Sequence, residues 1–287
     1  MNDAFKKLLL IYVVVLFFIL VSSFFATKNN SKAPIEINFL NIGQGDATLV
    51  QYLGRYQVLV DGGPNGRNLL SEIGKIVPAA DKQIEIVVLT HPDKDHLAGL
   101  IDLLDSYDVG LFLENGQKAE TNIYKELDLK VDEKKIPRQT IFEGSRFNIG
   151  KNLNFTAFNP DSFVGEDKNR NEQSVVMRMD FGENSFMFMG DAVTETELDM
   201  ISDEENVDVD WLKVGHHGSK TSTSEIFLQS VTPRYAIISA GKANRFGHPH
   251  EEVLDRLSNV GAEILRTDEG GTITVECFGL GEGCVVR

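Results

Sequence analysis

Apolar and polar residues alternate or cluster along the chain in a way that predicts a mixed α/β domain over residues 34–287. Short apolar runs and period-two alternation predict strands at 35–40, 47–53, 56–60, 84–89, 109–113, 139–142, 153–158, 174–181, 185–189, 209–214 and 235–239. Apolar residues at helical spacing predict helices at 68–77, 97–104, 120–130, 194–201, 224–230 and 251–260. The two kinds of element are mixed throughout without an internal repeat, which is typical of sheets covered by helices.

One apolar run is different from the others because it is long and lies at the N-terminus. Residues 8–26 carry no charge over about 19 residues, roughly the length that spans a bilayer core. This pattern favours a transmembrane signal anchor, with residues 1–7 in the cytoplasm, a linker at 27–33 and the domain outside the cytoplasm. A cleaved signal peptide stays open, because small residues lie near the end of the run, and the domain would then be secreted.

The length and charge of the chain limit its function classes. The 287 residues, 42% of them hydrophobic, suffice for one large domain or two modest ones. A formal net charge of −15 disfavours strong non-specific binding to nucleic acid, which normally requires a basic face. It is only mild evidence against a nuclease, because bound metal ions can make a local site positive.

The two cysteines, Cys277 and Cys284, flank a glycine-rich turn near the C-terminus. They are compatible with a hairpin disulfide in an oxidising compartment or with two unpaired thiols. No histidine or further cysteine lies nearby, so a metal site is not expected there.

Four groups that can bind metal follow the apolar strand at 84–89, in the sequence HPDKDH at 91–96. Unpaired carboxylates beside a core cost several kcal/mol, on the order of the penalty for any buried ion, and a bound cation would remove that penalty. Further polar residues follow other predicted strands: Asp61, Asp191 and the pair His216 and His217. Segments at one edge of a sheet can converge, so these residues predict a shared metal site.

The HPDKDH motif resembles the signature of the metallo-β-lactamase superfamily, whose usual form is His-x-His-x-Asp-His. Its aspartate at the third position resembles the branch found in the C-terminal domain of the ComEC/Rec2 DNA-uptake proteins. Other segments agree with that branch in the same order: NIGQGDA at 41–47, VDGG at 60–63, Asn171 with Ser174, MGD at 189–191, LKVGHHGS at 212–219 and NRFGHP at 244–249.

The resemblance implies a four-layer αββα sandwich with two divalent metal ions, Zn²⁺ or Mn²⁺, at one edge of its two sheets. The implied ligands are His91 and Asp93 for the first ion, Asp95 and His96 for the second, Asp191 bridging, and His217 completing the second site. The order of His216 and His217 is not settled by sequence, and His216 is expected beside the substrate.

The chain departs from the superfamily pattern in one respect. No histidine occurs between residues 97 and 189, where the superfamily usually supplies an isolated ligand. Asn171 and Ser174 occupy that stretch instead, so the first metal site is expected to be weakly filled. Asp93 replaces a histidine nitrogen by a carboxylate oxygen, which is a harder ligand, so Mn²⁺ becomes a competitor to Zn²⁺ for this site.

Other residues near these motifs receive supporting roles. Asp61 is expected to orient a ligand histidine, and Asp46 to lie beside the site, although its turn could also be only structural. Candidate catalytic residues are Asp95, His216 and His248, of which either histidine could protonate a leaving group. Candidate substrate contacts are Asn171, Ser174, Ser219 and Lys213. The alternatives are that Asn171 and Ser174 are ordinary loop and strand residues and that Lys213 lies on a solvated face.

These features together predict a membrane-anchored metallo-hydrolase, with a phosphodiesterase or nuclease as the preferred activity and a hydroxide generated at the metal as nucleophile. The expected partners are single-stranded DNA or another phosphodiester, the membrane and a DNA-uptake channel. Two alternatives stay open: an esterase or lactamase acting on the cell envelope, and a catalytically silent metal-binding scaffold beside such a channel.

Overall fold

Among the residues that the structure describes, eight strands form the first of two sheets. They are β1 (Ile35–Phe39), β2 (Thr48–Tyr52), β3 (Tyr56–Val60), β4 (Gln83–Leu89), β5 (Asp108–Glu114), β6 (Arg138–Thr140), β14 (Ile273–Cys277) and β15 (Cys284–Val286). Their order is β15-β14-β1-β2-β3-β4-β5-β6. The strands from β3 to β6 run parallel, whereas those from β15 to β3 pair antiparallel.

Seven strands form the second sheet. They are β7 (Arg146–Ile149), β8 (Leu153–Asn159), β9 (Val176–Phe181), β10 (Asn184–Phe188), β11 (Trp211–Lys213), β12 (Tyr235–Ile238) and β13 (Glu263–Arg266). Their order is β13-β12-β11-β10-β9-β8-β7, parallel from β10 to β13 and antiparallel from β7 to β10.

This computed structural model describes residues 35–161, 169–202, 206–279 and 281–287. The predicted membrane segment at 8–26 and its flanks at 1–7 and 27–33 lie outside those ranges. Within them, every helix is too short or too polar to cross a bilayer.

Seven α-helices within the described ranges connect the strands. They are α1 (Gly66–Ile76), α2 (Lys94–Ser106), α3 (Asn122–Glu133), α4 (Thr194–Ser202), α5 (Glu225–Val231), α6 (Glu251–Asn259) and α7 (Thr267–Gly270), with a 3-10 turn at Gly215–Gly218. Polar side chains begin several of them: Asn65, Thr121 and Ser224 each accept a hydrogen bond from a backbone N–H in the first turn.

The elements stack in four layers, as the resemblance implied. Apolar residues of both sheets meet in a central core, where the Phe39 ring of β1 lies 6.3 Å from the Phe188 ring of β10. Helices α1, α2 and α3 cover the outer face of the first sheet, and α4, α5 and α6 cover that of the second. Each buried leucine, valine or phenylalanine in these layers contributes about 1.5–3 kcal/mol relative to an exposed one.

Two details differ from the sequence-based expectations or decide between them. Helix α2 begins at Lys94, three residues before the predicted start, so its first turn includes Asp95 and His96. Cys277 and Cys284 form a disulfide that closes the β14–β15 hairpin, which decides between the two alternatives for these thiols.

Parallel strands of both sheets end at a common edge, and the polar motifs lie there. Asp61 directly follows β3, His91 follows β4 after Thr90, and Asp191 follows β10. A backbone hydrogen bond from the Val175 N–H to the Thr90 carbonyl (2.9 Å) joins the two sheets at this edge. The fold therefore brings residues that are far apart in sequence to one site.

Candidate metal centre

Asp191 lies in the middle of the site and is buried between four histidines. Its Oδ1 lies 3.3 Å from Nε2 of His96 and 3.6 Å from Nε2 of His217. Its Oδ2 lies 3.9 Å from Nε2 of His91 and 3.7 Å from Nε2 of His216. The two oxygens thus face two different pairs of histidines, which is the arrangement expected of a carboxylate shared by two ions.

Several polar atoms around Asp191 are buried without a hydrogen-bond partner among the described residues. They are Nε2 of His91, Nε2 of His96, Nε2 of His217 and Oδ1 of Asp191. A buried polar group left unsatisfied costs about 1–3 kcal/mol, so four of them in one place require another partner. Their donor atoms are the nitrogen and oxygen ligands that divalent transition metals prefer, and the residues present therefore fit such ions.

The ligand atoms are close enough together to share an ion. Those of His91, His96 and Asp191 lie within 4.8 Å of one another, and so do those of Asp95, His96 and His217. Asp93 faces the site from the other side, with its Oδ2 3.8 Å from Nε2 of His91. The structure thus brings together all six residues predicted as ligands.

His96 is held by Asp61, as expected of a carboxylate that orients a ligand. Nδ1 of His96 lies 2.8 Å from Oδ2 of Asp61. The backbone N–H and the hydroxyl of Thr90 each donate to Asp61 at 2.8 Å, so the carboxylate itself is fixed. Because Nδ1 of His96 donates its proton in a hydrogen bond to Asp61, Nε2 is the ring nitrogen that faces the site as a potential metal ligand.

His217 has a second carboxylate partner in Asp46. Oδ1 of Asp46 lies 3.2 Å from Nδ1 of His217, which also lies 3.1 Å from the carbonyl of Ser239. Nζ of Lys213 donates to Oδ2 of Asp46 at 2.8 Å. Lys213 is only 3% exposed, so the alternative that it lies on a solvated face is wrong. Its ammonium group pairs with the Asp46 carboxylate, and its predicted contact with substrate stays a prediction.

The glycine turn that carries Asp46 is part of the site. The Asp46 N–H donates to the carbonyl of Asp95 (3.2 Å), and a side chain at Gly45 would overlap that carbonyl. Oε1 of Gln44 accepts from the N–H of Gly241 (3.0 Å), in the loop before α6. The turn therefore connects the start of α2 to that loop.

The tandem histidines differ in environment. His217 is buried, and its Nε2 lies 3.5 Å from Oδ2 of Asp95, within the group that can share an ion. His216 is partly exposed, and its Nε2 lies 3.4 Å from Nδ2 of Asn171. Both have left-handed backbone (φ 48° and 55°), which costs on the order of 1–3 kcal/mol per residue and is found where a site requires it.

Two predicted substrate contacts have other partners. Oγ of Ser174 accepts from the Asp191 N–H (3.2 Å) and lies 3.3 Å from Nδ1 of His91, and the residue is fully buried. Ser219 is also buried, with its Oγ 3.0 Å from Oγ1 of Thr221. Both hydroxyls have partners within the protein, and the predicted contacts of Ser174 and Ser219 with substrate stay predictions. Asn171 is partly exposed beside His216 and stays a candidate contact.

Arg170 is a site residue that sequence analysis missed. Its guanidinium lies 2.6 Å from Oδ1 of Asp93, while the other oxygen of that carboxylate faces His91. The only sequence signal was its place directly before Asn171 in a charged loop. Arg170 holds Asp93 in a carboxylate–guanidinium pair at the rim of the site.

The charges of the site shift its histidines in opposite directions. Burial and the charge of His96 lower the pKa of His91 to about 3, so it is neutral. Burial would also lower the pKa of His217, but the carboxylates of Asp191 and Asp46 outweigh it and raise that pKa to about 10. Ligation of a metal by His217 must therefore release a proton.

His248 is placed next to the tandem histidines, with its ring 5.7 Å from that of His216. Burial and the charges of His217 and His216 lower its pKa to about 4. Part of this shift depends on the charge of His217, which metal binding would remove, so the proton-donor roles of His248 and His216 both stay predictions.

Comparison with known proteins agrees with this geometry. The profile of the metallo-beta-lactamase superfamily matches residues 40–242. The "ComE operon protein 3" of Bacillus subtilis (strain 168) is 34% identical over 257 residues, covering 83% of this chain and 32% of the relative. "Recombination protein 2" of Haemophilus influenzae is 31% identical over 254 residues, covering 88% of this chain and 30% of the relative. The chain thus spans about a third of the length of these curated relatives.

Solved structures with the same fold have low sequence identity. The metallo-beta-lactamase fold protein YhfI of Bacillus subtilis has a TM-score of 0.56 at 16% identity, covering 86% of this chain and all of that one. The metallo hydrolase Igni18 of Ignicoccus hospitalis KIN4/I also has a TM-score of 0.56, at 14% identity, and the match covers 83% of this chain and 98% of that one. These likenesses establish the architecture alone.

Proposed function

Because this chain belongs to the metallo-β-lactamase superfamily, we propose that it is a metal-dependent phosphodiesterase whose preferred substrate is single-stranded DNA. The observation that carries the proposal is the placement of Asp191 among His91, His96 and His217, whose inward-facing nitrogens are buried without partners. Such a set of nitrogen and carboxylate ligands supports metal-assisted hydrolysis.

Two groups of residues would hold the ions. His91, Asp93 and Asp191 would hold the first ion, since Asp93 and Asp191 lie 3.8 and 3.9 Å from Nε2 of His91. Asp95, His96 and His217, whose ligand atoms lie within 4.8 Å of one another, would hold the second ion together with Asp191. Divalent ions bound in these two halves of the site would lower the pKa of a water molecule and polarise a phosphoryl oxygen. Asp61 accepts the Nδ1 proton of His96, and the Ser239 carbonyl accepts that of His217, so both protons are directed away from the site, while the Asp46 carboxylate lies 3.2 Å from Nδ1 of His217 as its charged partner.

The rim of the site supplies groups for an anionic substrate. The side chain of Arg170 is 40% exposed beside Asp93, and the amide of Asn171 lies next to His216. A guanidinium can pair with two oxygens of a phosphate, and an amide can donate to a third. His216 lies near enough to Asp191 and Asn171 to deliver a proton to a leaving oxygen at this rim.

The preference for DNA is supported by the relatives. Among the proteins matched over 85% of this chain is "Competence protein ComA" of Neisseria gonorrhoeae, at 29% identity. The net charge of −15 is compatible with an anionic substrate if cations are concentrated at the site, because a local field guides the ligand. Arg170 at the rim is one such cation.

A substrate panel tests this proposal. The full chain, supplied with Mn²⁺ or Zn²⁺, is assayed with single-stranded DNA, bis(p-nitrophenyl) phosphate, a phosphocholine ester and a β-lactam. We expect hydrolysis of the two phosphodiesters, and a loss of at least about 100-fold in Asp95→Asn, the order lost when one preorganised charged group is removed.

The other outcomes select the rival functions. Turnover of the phosphocholine ester or the β-lactam alone would indicate an envelope esterase or lactamase. Bound metal without turnover of any of the four would indicate a silent metal-binding scaffold. Either result would overturn the phosphodiesterase proposal.

We also propose that residues 8–26 anchor the chain with its domain outside the cytoplasm, beside a DNA-uptake channel. The uncharged run and the competence-protein relatives support this placement. Recovery of the full chain in the membrane fraction, with the domain degraded by protease added to intact spheroplasts, is the expected result. A chain protected from that protease would contradict it.

A further inference from the structure

An exposed aromatic ring lies at the mouth of the candidate metal centre. Phe246 is 48% exposed, and its ring centroid lies 5.7 Å from that of His248 at an interplanar angle of 24°. The His248 ring lies in turn 5.7 Å from that of His216, beside Asp191. A single imidazole therefore separates Phe246 from the residues proposed to hold the reacting phosphate, and burial in a core does not explain its position.

The loop that carries Phe246 is held by its own hydrogen bonds. Oδ1 of Asn244 accepts from the N–H groups of Phe246 and His248 (both 3.1 Å). Nδ2 of Asn244 donates to the carbonyls of Gly241 (2.9 Å) and His248 (2.5 Å). Gly241 is bound to Gln44 of the glycine turn, so the loop is fixed to the site. A ligand that stacks on Phe246 need not order this loop first, which lowers the cost of binding.

Cations accompany the ring. The guanidinium of Arg245 lies 4.8 Å from the ring centroid, and Lys242 is exposed in the same loop. In a chain with a net charge of −15, a loop with two cations and an aromatic ring at the site entrance is a local exception. Aromatic rings beside basic side chains are the combination that binds single-stranded nucleic acid, the ring stacking on bases and the cations pairing with the backbone.

We propose that Phe246 is a stacking platform for a nucleobase of a single-stranded substrate whose neighbouring phosphate lies at the metal centre. This inference rests on the proposed phosphodiesterase function and adds to it a requirement for bases. Duplex DNA presents only the edges of its stacked bases along its length, so the platform selects single strands or frayed ends.

The test compares two oligomers that differ only in their bases. One is a fluorescently labelled oligodeoxythymidylate, and the other is an abasic oligomer of the same length and charge. Their binding to the full chain is measured by fluorescence anisotropy in EDTA, and their hydrolysis with Mn²⁺ as KM and kcat. We expect wild type to bind the base-containing oligomer about tenfold or more tightly than the abasic one, the range expected for one stacked base.

The variants identify the residue responsible. Phe246→Ala should bind the two oligomers alike, and Phe246→Trp should keep the preference. Arg245→Gln should weaken the binding of both oligomers by the same factor and reduce the salt dependence of that binding, because it removes a charge rather than a stacking surface. The matched control is Phe278→Ala, which removes a 37% exposed phenylalanine at the opposite end of the first sheet and should behave as wild type.

The outcomes separate this inference from the function on which it rests. Hydrolysis of both oligomers with equal KM in wild type, or an undiminished preference in Phe246→Ala, would overturn the stacking platform and leave the phosphodiesterase intact. A base preference in binding that Phe246→Ala abolishes, without hydrolysis of either oligomer, would support the platform and contradict the phosphodiesterase.

Discussion

Two histidines of the site have carboxylate partners that come from different parts of the chain. Asp61, after β3, accepts a hydrogen bond from Nδ1 of His96, and Asp46, in the turn after β1, lies 3.2 Å from Nδ1 of His217. A carboxylate at Nδ1 orients the ring with Nε2 toward the site. Both imidazoles are thereby oriented as ligands, and His217, whose pKa is raised to about 10, must release a proton when it binds a metal.

Asp61→Asn tests this orientation. The amide of the new side chain can donate to Nδ1 of His96 and so favours the tautomer with a proton on Nε2. We expect the metal affinity of the second half of the site to fall about 10–100-fold, as when other partners of ligand histidines are removed. Competition titration with a chelator measures it, and an unchanged affinity would show that Asp61 does not orient His96.

Lys213→Met tests whether Lys213 neutralises the buried carboxylate of Asp46. Without the lysine, the Asp46 carboxylate is buried with His217 as its remaining charged partner, and we expect a loss of about 3 kcal/mol in the free energy of unfolding. Adding Asp46→Asn should restore part of that loss by removing the unpaired charge. Urea unfolding measures both, with Lys220→Met at an exposed lysine as control. A loss no larger than that of the control would contradict the buried pair.

The candidate ligand residues could be predicted from the sequence, but not all of their neighbours could. The histidines and aspartates were identifiable because they directly follow apolar strands in short motifs. Lys213 and Asp46 are 167 residues apart, and nothing local indicated that one would neutralise the other. Arg170 was missed for a similar reason, because its pairing with Asp93 depends on how a loop of the second sheet meets the first turn of α2.

At the scale of elements, the strands and helices agree with the hydrophobic pattern as far as α6, whereas β13, α7, β14 and β15 were not predicted individually. Strand β7 was not predicted, because it lies at an edge and its polar positions are exposed. Helix α2 begins earlier than its apolar pattern, because its first turn carries Asp95 and His96, which the site requires. Element boundaries near the site were therefore the least predictable part of the fold.

Glu197, in helix α4, stabilises the segment that follows the tandem histidines. The carboxylate is fully buried in α4 and accepts hydrogen bonds from the N–H groups of Thr223 and Ser224, where the segment after the tandem histidines turns into α5. We expect Glu197→Ala to lower the free energy of unfolding by about 1–3 kcal/mol for each donor left unsatisfied. Glu195→Ala, at an exposed position of the same helix, is the control, and an equal effect of the two would contradict this role.

Glu197 also makes the stability of the folded protein depend on pH. Burial raises the pKa of Glu197 above its ordinary value of 4.5, although the backbone N–H groups oppose the shift. The folded protein then holds this proton more tightly than the unfolded chain. The stability of wild type relative to Glu197→Gln should therefore be greatest below pH 4.5 and fall as the pH rises through the raised pKa. Urea unfolding across that range measures it, and a constant difference would show that the pKa is not raised.

At the scale of the whole molecule, the αββα sandwich explains why distant motifs form one site. Parallel strands of both sheets end at the same edge, and each motif follows such a strand. The chain matches about a third of the length of its curated relatives, so the metallo-β-lactamase domain corresponds to one part of those longer proteins. The layers and the site edge followed from the motif resemblance, whereas substrate and metal identity depend on loop geometry and ion chemistry that sequence patterns do not specify.

Metal content and hydrolysis measured on one sample of the purified full chain test the central claim most directly. We expect up to two equivalents of Mn²⁺ or Zn²⁺ per chain, the first site being the more weakly filled, with cleavage of single-stranded DNA, and the loss of both metal and cleavage in Asp191→Ala. Wild type and Asp191→Ala that alike bind no metal, or DNA cleavage that persists in the variant, would contradict a shared metal centre at Asp191.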